Sequence, residues 1–577
     1  MNFIKKVIFV INKSGSKFNA NLIIRIVLST LLETLSIGMI MPLIILLSKQ
    51  REVIRFPFFQ NIMKIMGIKN NWFFLVNIIA FLLLIYLLKA FFISFVVKKQ
   101  NKFIFELEAG ISKKLFQNYL NEPYIFHLEN NSSEIVKNIH YEVKQLCNTI
   151  SQALTFLSEV LVIIFLSGLM FYIQPILTSF VIFFLGLPVI LFMRVLRKKI
   201  KLWGSNRKKY DLERVKILSD AICSLKEIKF YGRQFFFYSN YNSKNLLSIN
   251  SSMKHSTLLK LPSIWLEFLA VSGLILLVCF MIFLGTSLSE IIPMIGFLTV
   301  VIFRMLPSMN RLSSAYQTIK FQLPTIDSIY NDLHNITIDE IQSKRGEIVF
   351  NNKIELNNIT FSFPNFFPPI IKDASITIKK NEFIGIIGKS GAGKSTFVDI
   401  FIGLLQPQSG FFLVDGTVVY NNIRNWQDKI GYVSQTINLI DDTIKKNIAF
   451  GIDEKDIDNT KLENAILMAQ IKEYITSLPL GLNTIVGEKG VRVSGGQRQR
   501  IGIARALYQN PEILVLDEAT NALDLNTELE IIKIIKLLKG SKTIIFVSHN
   551  LTILNECDNL YEVIDGKFKK LIKVDRI

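Results

Sequence analysis

Two short runs carry residue types suited to phosphate chemistry. The first is Gly388-Lys389-Ser390-Gly391-Ala392-Gly393-Lys394-Ser395, preceded by the apolar run Ile384 to Ile387 and followed by the apolar stretch Thr396 to Leu405. A strand, then GxxxxGK[ST], then a helix is the arrangement in which backbone N–H groups converge on phosphates at a helix N-terminus, where the dipole favours anions. Lys394 would reach the terminal phosphates, and Ser395 would bind Mg²⁺. The second run, Ile513-Leu514-Val515-Leu516, ends in Asp517-Glu518. Buried parallel strands read as continuous apolar runs, and acids at their carboxyl ends lie where ligands bind. Asp517 suits a Mg²⁺-linked role, and Glu518 suits the base that orients or deprotonates an attacking water. A lone apolar run ending in two acids is more often a strand entering a solvated turn; its pairing with a phosphate loop reverses that reading.

The elements that position these residues follow from composition. A chain of 577 residues ordinarily means about three or four soluble domains. Here 50% of residues are apolar, only 19% are charged and the mean hydropathy is +0.37, unlike a soluble chain. The four cysteines (Cys147, Cys223, Cys279, Cys557) are far apart and lack metal-ligand spacing, the pattern of reduced packing residues. A net charge of +20 invites a nucleic-acid reading. Residues 1–340, however, hold 37 Lys+Arg against 19 Asp+Glu, whereas 341–577 hold 29 against 27. The excess sits in the apolar part, as in a basic membrane domain, and nucleic acid is not expected as a partner.

Six apolar runs approach the roughly 20 residues needed to cross a bilayer: 22–47, 72–97, 153–173, 176–192, 264–284 and 291–309. The third and fourth are separated only by Gln174 and Pro175, a tight hairpin. The stretch 98–146 carries seven Lys/Arg and 193–261 carries sixteen, while 174–175 and 285–290 carry none. The positive-inside rule therefore places the N-terminus, both long loops and the C-terminal part in the cytoplasm. Helical spacing in Phe103 to Tyr119 and Tyr210 to Phe230 predicts that the spans continue beyond the membrane as helices. After Pro57, the residues Phe58, Ile62, Met63, Ile65 and Met66 fall near one face, as in a short amphipathic helix on the outer surface or a loop helix packed on neighbouring spans. The expected fold is an α-helical six-span transmembrane domain over 1–340, followed by an α/β P-loop nucleotide-binding domain over 341–577.

Val493-Ser494-Gly495-Gly496-Gln497 makes the second part specific. It resembles the LSGGQ signature of ATP-binding cassette (ABC) transporters, with Val for Leu. Other family elements follow in order: Gln435 in the Q-loop, Val486 to Gly490 in the X-loop, Asn521-Ala522-Leu523-Asp524 in the D-loop and His549 as the switch histidine. Phe363 stands where an adenine-stacking Tyr is usual and keeps the aromatic face. The resemblance implies catalytic roles for Lys394, Gln435, Glu518 and His549, and ATP contacts from Phe363, Gly388 to Thr396 and Ser494 to Gln497. It implies Mg²⁺ held by Ser395, Gln435 and Asp517. It also implies an ATP sandwich that needs two copies, most simply a homodimer. In exporter-type half-transporters the tips of the long loops dock on the cassettes; here these would be Pro123 to Leu128 and Lys229 to Phe236, the alternative being packing within the membrane domain.

Charged residues inside spans are functional candidates because they are unfavourable there. Lys89, Arg304, Glu33, Glu159 and Glu267 qualify. Lys89 and Arg304 could meet an anionic headgroup, pair with the glutamates, or snorkel outward. The segments Glu33 to Leu43, Leu261 to Glu267 and Phe303 to Arg311 resemble bacterial lipid-linked oligosaccharide flippases. Lys89 and Arg304 fall where that group has basic residues facing the cavity, while Ser263 replaces an expected base. The resemblance implies transfer of a polyprenyl-diphosphate-linked glycan from the inner to the outer leaflet of a bacterial cytoplasmic membrane. Export of a peptide, drug or other lipid is the alternative; a non-transporting membrane regulator would not need this intact ATP chemistry.

Overall fold

Several of the apolar runs form only one end of helices much longer than a bilayer is thick. The computed structural model describes residues 3–15, 20–38, 71–173, 175–283, 285, 288–335, 347–364, 368–518, 525–548 and 551–571. Helices α1 (Phe3–Lys13) and α2 (Ala20–Gly38) precede α3 (Asn71–Asn121). The 51 residues of α3 run about 75 Å at 1.5 Å per residue, against a hydrocarbon layer of about 30 Å. Helix α4 (Tyr124–Glu129) is short, and α5 (Ser132–Lys137) joins α6 (Val143–Ile173) through a π turn at Asn138–Glu142. Pro175 opens α7 (Pro175–Val181), where its missing N–H leaves no orphan. A second π turn, Ile182–Gly186, leads into α8 (Leu187–Cys223). Then come α9 (Leu225–Phe230), α10 (Gln234–Phe283), α11 (Leu288–Phe321) and α12 (Leu323–Asn335).

Among the described residues, four helices are long and apolar enough to cross a membrane: Ile79–Asn121, Ser132–Tyr172, Thr178–Cys223 and Gln234–Phe283. Helix α2 covers the start of the first apolar run, and α11 covers the sixth with Arg304 inside it. The expected outer helix after Pro57 lies outside the described residues. Phe103 to Tyr119 is indeed helical, as the far end of α3, and Tyr210 to Phe230 spans the end of α8 and α9 with a break at Ser224.

The chain divides into two compact units, Met1–Glu122 with Glu129–Thr337, and Pro123–Leu128 with Ile338–Ile577. In the first, Leu166 of α6, Leu185 of the second π turn, Leu266 of α10 and Met305 of α11 share one buried apolar core. Helix α8 meets the end of α11 backbone to backbone: a Cβ at Gly204 would fall 1.9 Å from the Phe321 carbonyl oxygen. Beside that contact is a buried polar cluster. The Glu142 carboxylate accepts a hydrogen bond from Thr325 Oγ1 at 2.6 Å and lies 3.0 Å from Lys137 Nζ and 3.6 Å from the Arg207 guanidinium. Arg207 also donates to Gln322 Oε1 and Thr325 Oγ1 at 3.2 and 3.1 Å.

The second unit has two sheets. Strands β1 (Lys353–Phe361), β2 (Ile371–Lys379), β4 (Ser409–Val414) and β5 (Thr417–Val418) form an antiparallel sheet in the order β2-β1-β4-β5. Strands β3 (Phe383–Gly388), β6 (Ile430–Val433), β7 (Ile513–Asp517), β8 (Thr543–Val547), β9 (Asn559–Ile564) and β10 (Lys567–Leu571) form the other, in the order β10-β9-β3-β8-β7-β6. Its strands pair in parallel except β10. Every residue of β7 and β8 is buried, which is why both read as unbroken apolar runs. Between the sheets Trp426 is fully buried; its indole N–H donates to the Phe401 carbonyl at 2.7 Å, so its polar edge is satisfied. Ile125 of α4 rests on this same core.

Candidate functional site

Parallel strands deliver the phosphate-type residues to one edge. The loop after β3 carries Gly388 to Gly393, and α13 (Lys394–Phe401) starts directly from it. Gly393 caps α13 at φ 103, a conformation that disfavours any side chain, and a Cβ at Gly388 would fall 2.7 Å from the Val563 carbonyl oxygen. Lys394 is buried, and its ammonium turns back to donate to the carbonyls of Gly388 at 2.8 Å and Lys389 at 3.3 Å. Lys389, Ser390, Gly391 and Ala392 border a cavity of about 680 Å³ whose far wall includes Ile370 and Asp565. Ser395 is exposed on the first turn of α13, with Thr396 behind it.

At the carboxyl end of β7, Glu518 lies 3.8 Å from Lys394 Nζ and accepts a 2.7 Å hydrogen bond from Gln435 Nε2. Its backbone sits at φ 48, a region non-glycine residues rarely occupy, and its N–H donates to Val547 at 2.9 Å. Asp517 is buried, and its Oδ1 has no hydrogen-bond partner. Burial, then the Glu518 carboxylate, push Asp517 up to about 6, with Lys394 acting against them. Asp399, one helical turn beyond Ser395, is likewise pushed up to about 6, by burial and then by Asp517. Sequence reading missed Asp399; its spacing of four from Ser395 was the available signal.

An orphaned buried carboxylate oxygen, a hydroxyl at Ser395 and the amide of Gln435 make a hard-oxygen donor set that fits Mg²⁺. His549 and Asn521 to Asp524 lie outside the described residues; β8 ends at Val547, two residues before His549. Phe363 is half-buried just past β1, edge-on to Phe361 at 5.1 Å. Ser494 is the N-cap of α14 (Gly495–Leu507). Its hydroxyl oxygen accepts from the Gln497 N–H at 3.3 Å, and its N–H donates to Gln497 Oε1 at 3.0 Å, a reciprocal capping box. Ser494 and Gly495 are exposed, and the Ser494 O–H proton remains free to donate outward.

The charges within the apolar helices sort into pairs. Arg304 of α11 forms an ion pair with Glu33 of α2. One turn on, Ser36 Oγ accepts from Lys89 Nζ at 2.9 Å, and the Lys89 ammonium sits 4.9 Å over the Tyr86 ring. Two cations thus meet one turn of α2 that supplies a single carboxylate, and Arg304 Nε is buried without a hydrogen-bond partner. Glu159 pairs with Arg311. At the other loop tip, Phe230, Tyr231, Phe235 and Phe236 are all exposed.

A phosphate loop and acid pair on the carboxyl edge of a parallel sheet, joined in one chain to membrane-length helices, define an ATP-driven membrane translocase. The chain belongs to the ABC transporter family. Residues 371–521 match the family model described as "ABC transporter", and 53–306 match "ABC transporter transmembrane region". It is 30% identical over 500 residues to the "ATP-dependent lipid A-core flippase" of Wigglesworthia glossinidia brevipalpis, covering 83% of this chain and 81% of that one. The protein of the same description in Coxiella burnetii is 28% identical over 475 residues, covering 81% and 79%. The fold is similar to that in "Structure of a bacterial Atm1-family ABC exporter with ATP bound", with a TM-score of 0.78, 21% identity and 96% of each chain covered. The protein is an exporter-type half-transporter with a multi-pass membrane domain and an ATP-binding cassette, acting in the exporter and flippase class.

Proposed function

We propose that this protein is a homodimeric flippase of the bacterial cytoplasmic membrane that moves a polyprenyl-diphosphate-linked oligosaccharide from the inner to the outer leaflet. The observation that carries the cargo reading is the convergence of Lys89 and Arg304 on Glu33 and Ser36: two cations against one carboxylate, with an unfilled guanidinium N–H. That surplus suits a phosphate-bearing headgroup. A lipid A-core headgroup is the second reading, favoured by the names of the relatives.

In the cassette, Lys394 exchanges its loop carbonyls for the terminal phosphate oxygens of ATP. Ser395, Asp517 and Gln435 would hold Mg²⁺, which supplies neutralisation of the phosphate charge. Glu518, already hydrogen-bonded to Gln435, orients the attacking water and takes its proton, and the family resemblance assigns His549 to the same phosphate. The exposed Ser494 hydroxyl and the N–H groups of Gly495 and Gly496 face the γ-phosphate held by a second copy, so each site needs two chains. The exposed aromatics Phe230 to Phe236 suit docking on a cassette.

The test uses proteoliposomes carrying either polyprenyl-diphosphate-linked oligosaccharide or lipid A-core, scored for ATP-dependent appearance of the saccharide at the far face. Wild type should move the polyprenyl-linked glycan and the Glu518→Gln protein should not. Movement of lipid A-core alone would select the second reading, and movement of neither would refute both.

A further inference from the structure

Glu267 is set apart from the other charges in the apolar helices. Arg304 is paired with Glu33, Arg311 with Glu159, and Lys89 is held by Ser36, whereas Glu267 has no ion pair among the described residues. Its helix, α10, runs beside α11, and between them lies a cavity of about 540 Å³ bordered by Glu267. From Ser263 to Ile275 the cavity follows α10 for about 18 Å at 1.5 Å per residue. The end near Ser263 is polar, with Glu267 and Asn310, whereas Val271, Leu274 and Ile275 line the other end. That order matches an amphiphile with its headgroup at the Ser263 end and its chain along the apolar wall.

The two hydroxyls already spend their protons elsewhere. Ser263 donates its hydroxyl proton to the Lys260 carbonyl at 2.7 Å, and Thr299 donates its own to Ile295 at 2.7 Å, so both present only oxygen lone pairs to the cavity. Asn310 adds a carboxamide, which can accept or donate. The Glu267 carboxylate is acceptor-only. Among the described residues, no Lys or Arg borders the cavity. A phosphate would meet a carboxylate with no cation to offset its charge, whereas a primary ammonium brings a positive charge and three N–H donors to that carboxylate and to hydroxyl lone pairs.

We propose that the cavity between α10 and α11 binds the primary ammonium headgroup of an amphiphile, with Glu267 as its counter-ion. The site is distinct from the Lys89 and Arg304 cluster, and its binding chemistry does not depend on the saccharide reading. Two sources share that chemistry, an aminophospholipid of the bilayer and an ammonium on the transported molecule.

The test is photolabelling of the full chain in phosphatidylcholine nanodiscs, without ATP, by a diazirine-bearing long-chain alkylammonium, mapped by mass spectrometry. The expected result is saturable labelling of residues 263–275 and 299–310, at a concentration raised at least tenfold by Glu267→Gln and restored by Glu267→Asp. A sulfate analogue of the same chain length should not compete. Equal competition by the sulfate, wild-type-like labelling of Glu267→Gln, or no labelling because a second copy covers the cavity would each overturn the proposal. Phosphatidylethanolamine doped into the discs should compete if the bilayer is the source; saturable labelling that it leaves unchanged would support the site and assign the ammonium to cargo. Because neither ATP nor saccharide is present, these outcomes are separable from failure of the flippase assay.

Discussion

Replacing Glu142 by Gln keeps the shape of a buried side chain and removes its charge. Glu142 is fully buried, and the side chains of its partners Lys137 and Arg207 are 3% and 4% exposed. After substitution Arg207 would keep one carboxylate, Asp211, 3.8 Å away and already held by Arg214 at 3.2 Å and the Ser248 hydroxyl at 2.6 Å, while Lys137 would keep no ion pair among the described residues. Removing one partner of a buried ion pair costs about 3–5 kcal/mol, because the remaining charge is left uncompensated. That is a large share of a typical stability of about 5–15 kcal/mol. At about 2–4 °C per kcal/mol for domains of 150–250 residues, the melting midpoint of the purified full chain in detergent should fall by at least about 6 °C. Adding Arg207→Gln to Glu142→Gln removes one orphaned charge, so the double variant should lose less than the sum of the single losses, by about 1 kcal/mol or more. A Glu142→Gln midpoint within about 2 °C of wild type, or strict additivity, would refute the reasoning.

Glu518→Gln should retain ATP binding, measured with a fluorescent analogue, and lose about 10²- to 10⁴-fold in ATP turnover, the usual range for a general base. Gly204→Ala should destabilise by about 1–3 kcal/mol in thermal melts, since its Cβ would meet the Phe321 backbone. Gly168→Ala is the control: nothing lies within 4 Å of its Cβ, so its midpoint should be unchanged or slightly raised. In Asp415, burial would raise the carboxyl, but donation from the N–H groups of Lys353, Asn351 and Asn352 and the nearby Lys380 charge hold it below the usual range. A depressed folded value means its contribution is complete above the unfolded pKa near 4 and is lost as pH falls through the folded value. Asp415→Asn should therefore speed hydrogen exchange at those three amides at neutral pH, and the difference from wild type should vanish in strong acid.

The catalytic edge was legible because its chemistry requires identities at fixed spacing. A phosphate loop needs glycines where Gly388 and Gly393 stand, and the fully buried β7 needs apolar residues up to Asp517. The apolar runs were equally readable, but they report hydrocarbon depth rather than helix length, so they mark only the N-terminal half of α3 and the C-terminal end of α10. Pairings across the membrane unit left no local trace. Arg304 and Glu33 are 271 residues apart, and Thr325 reaches Glu142 across 183. Sequence spacing could name Lys89, Arg304, Glu33, Glu159 and Glu267 as unfavourable inside a bilayer but could not say which were compensated. The fold answers by geometry: α2 and α6 supply carboxylates to Arg304 and Arg311, whereas among the described residues the cavity beside Glu267 is bordered by no Lys or Arg. A surplus of positive charge at one place and a carboxylate without a cation at another, within one membrane unit, favour two sites of opposite preference. An anionic headgroup and an ammonium amphiphile should therefore not compete with each other, and mutual displacement in the labelling assay would show that the two surfaces form a single site.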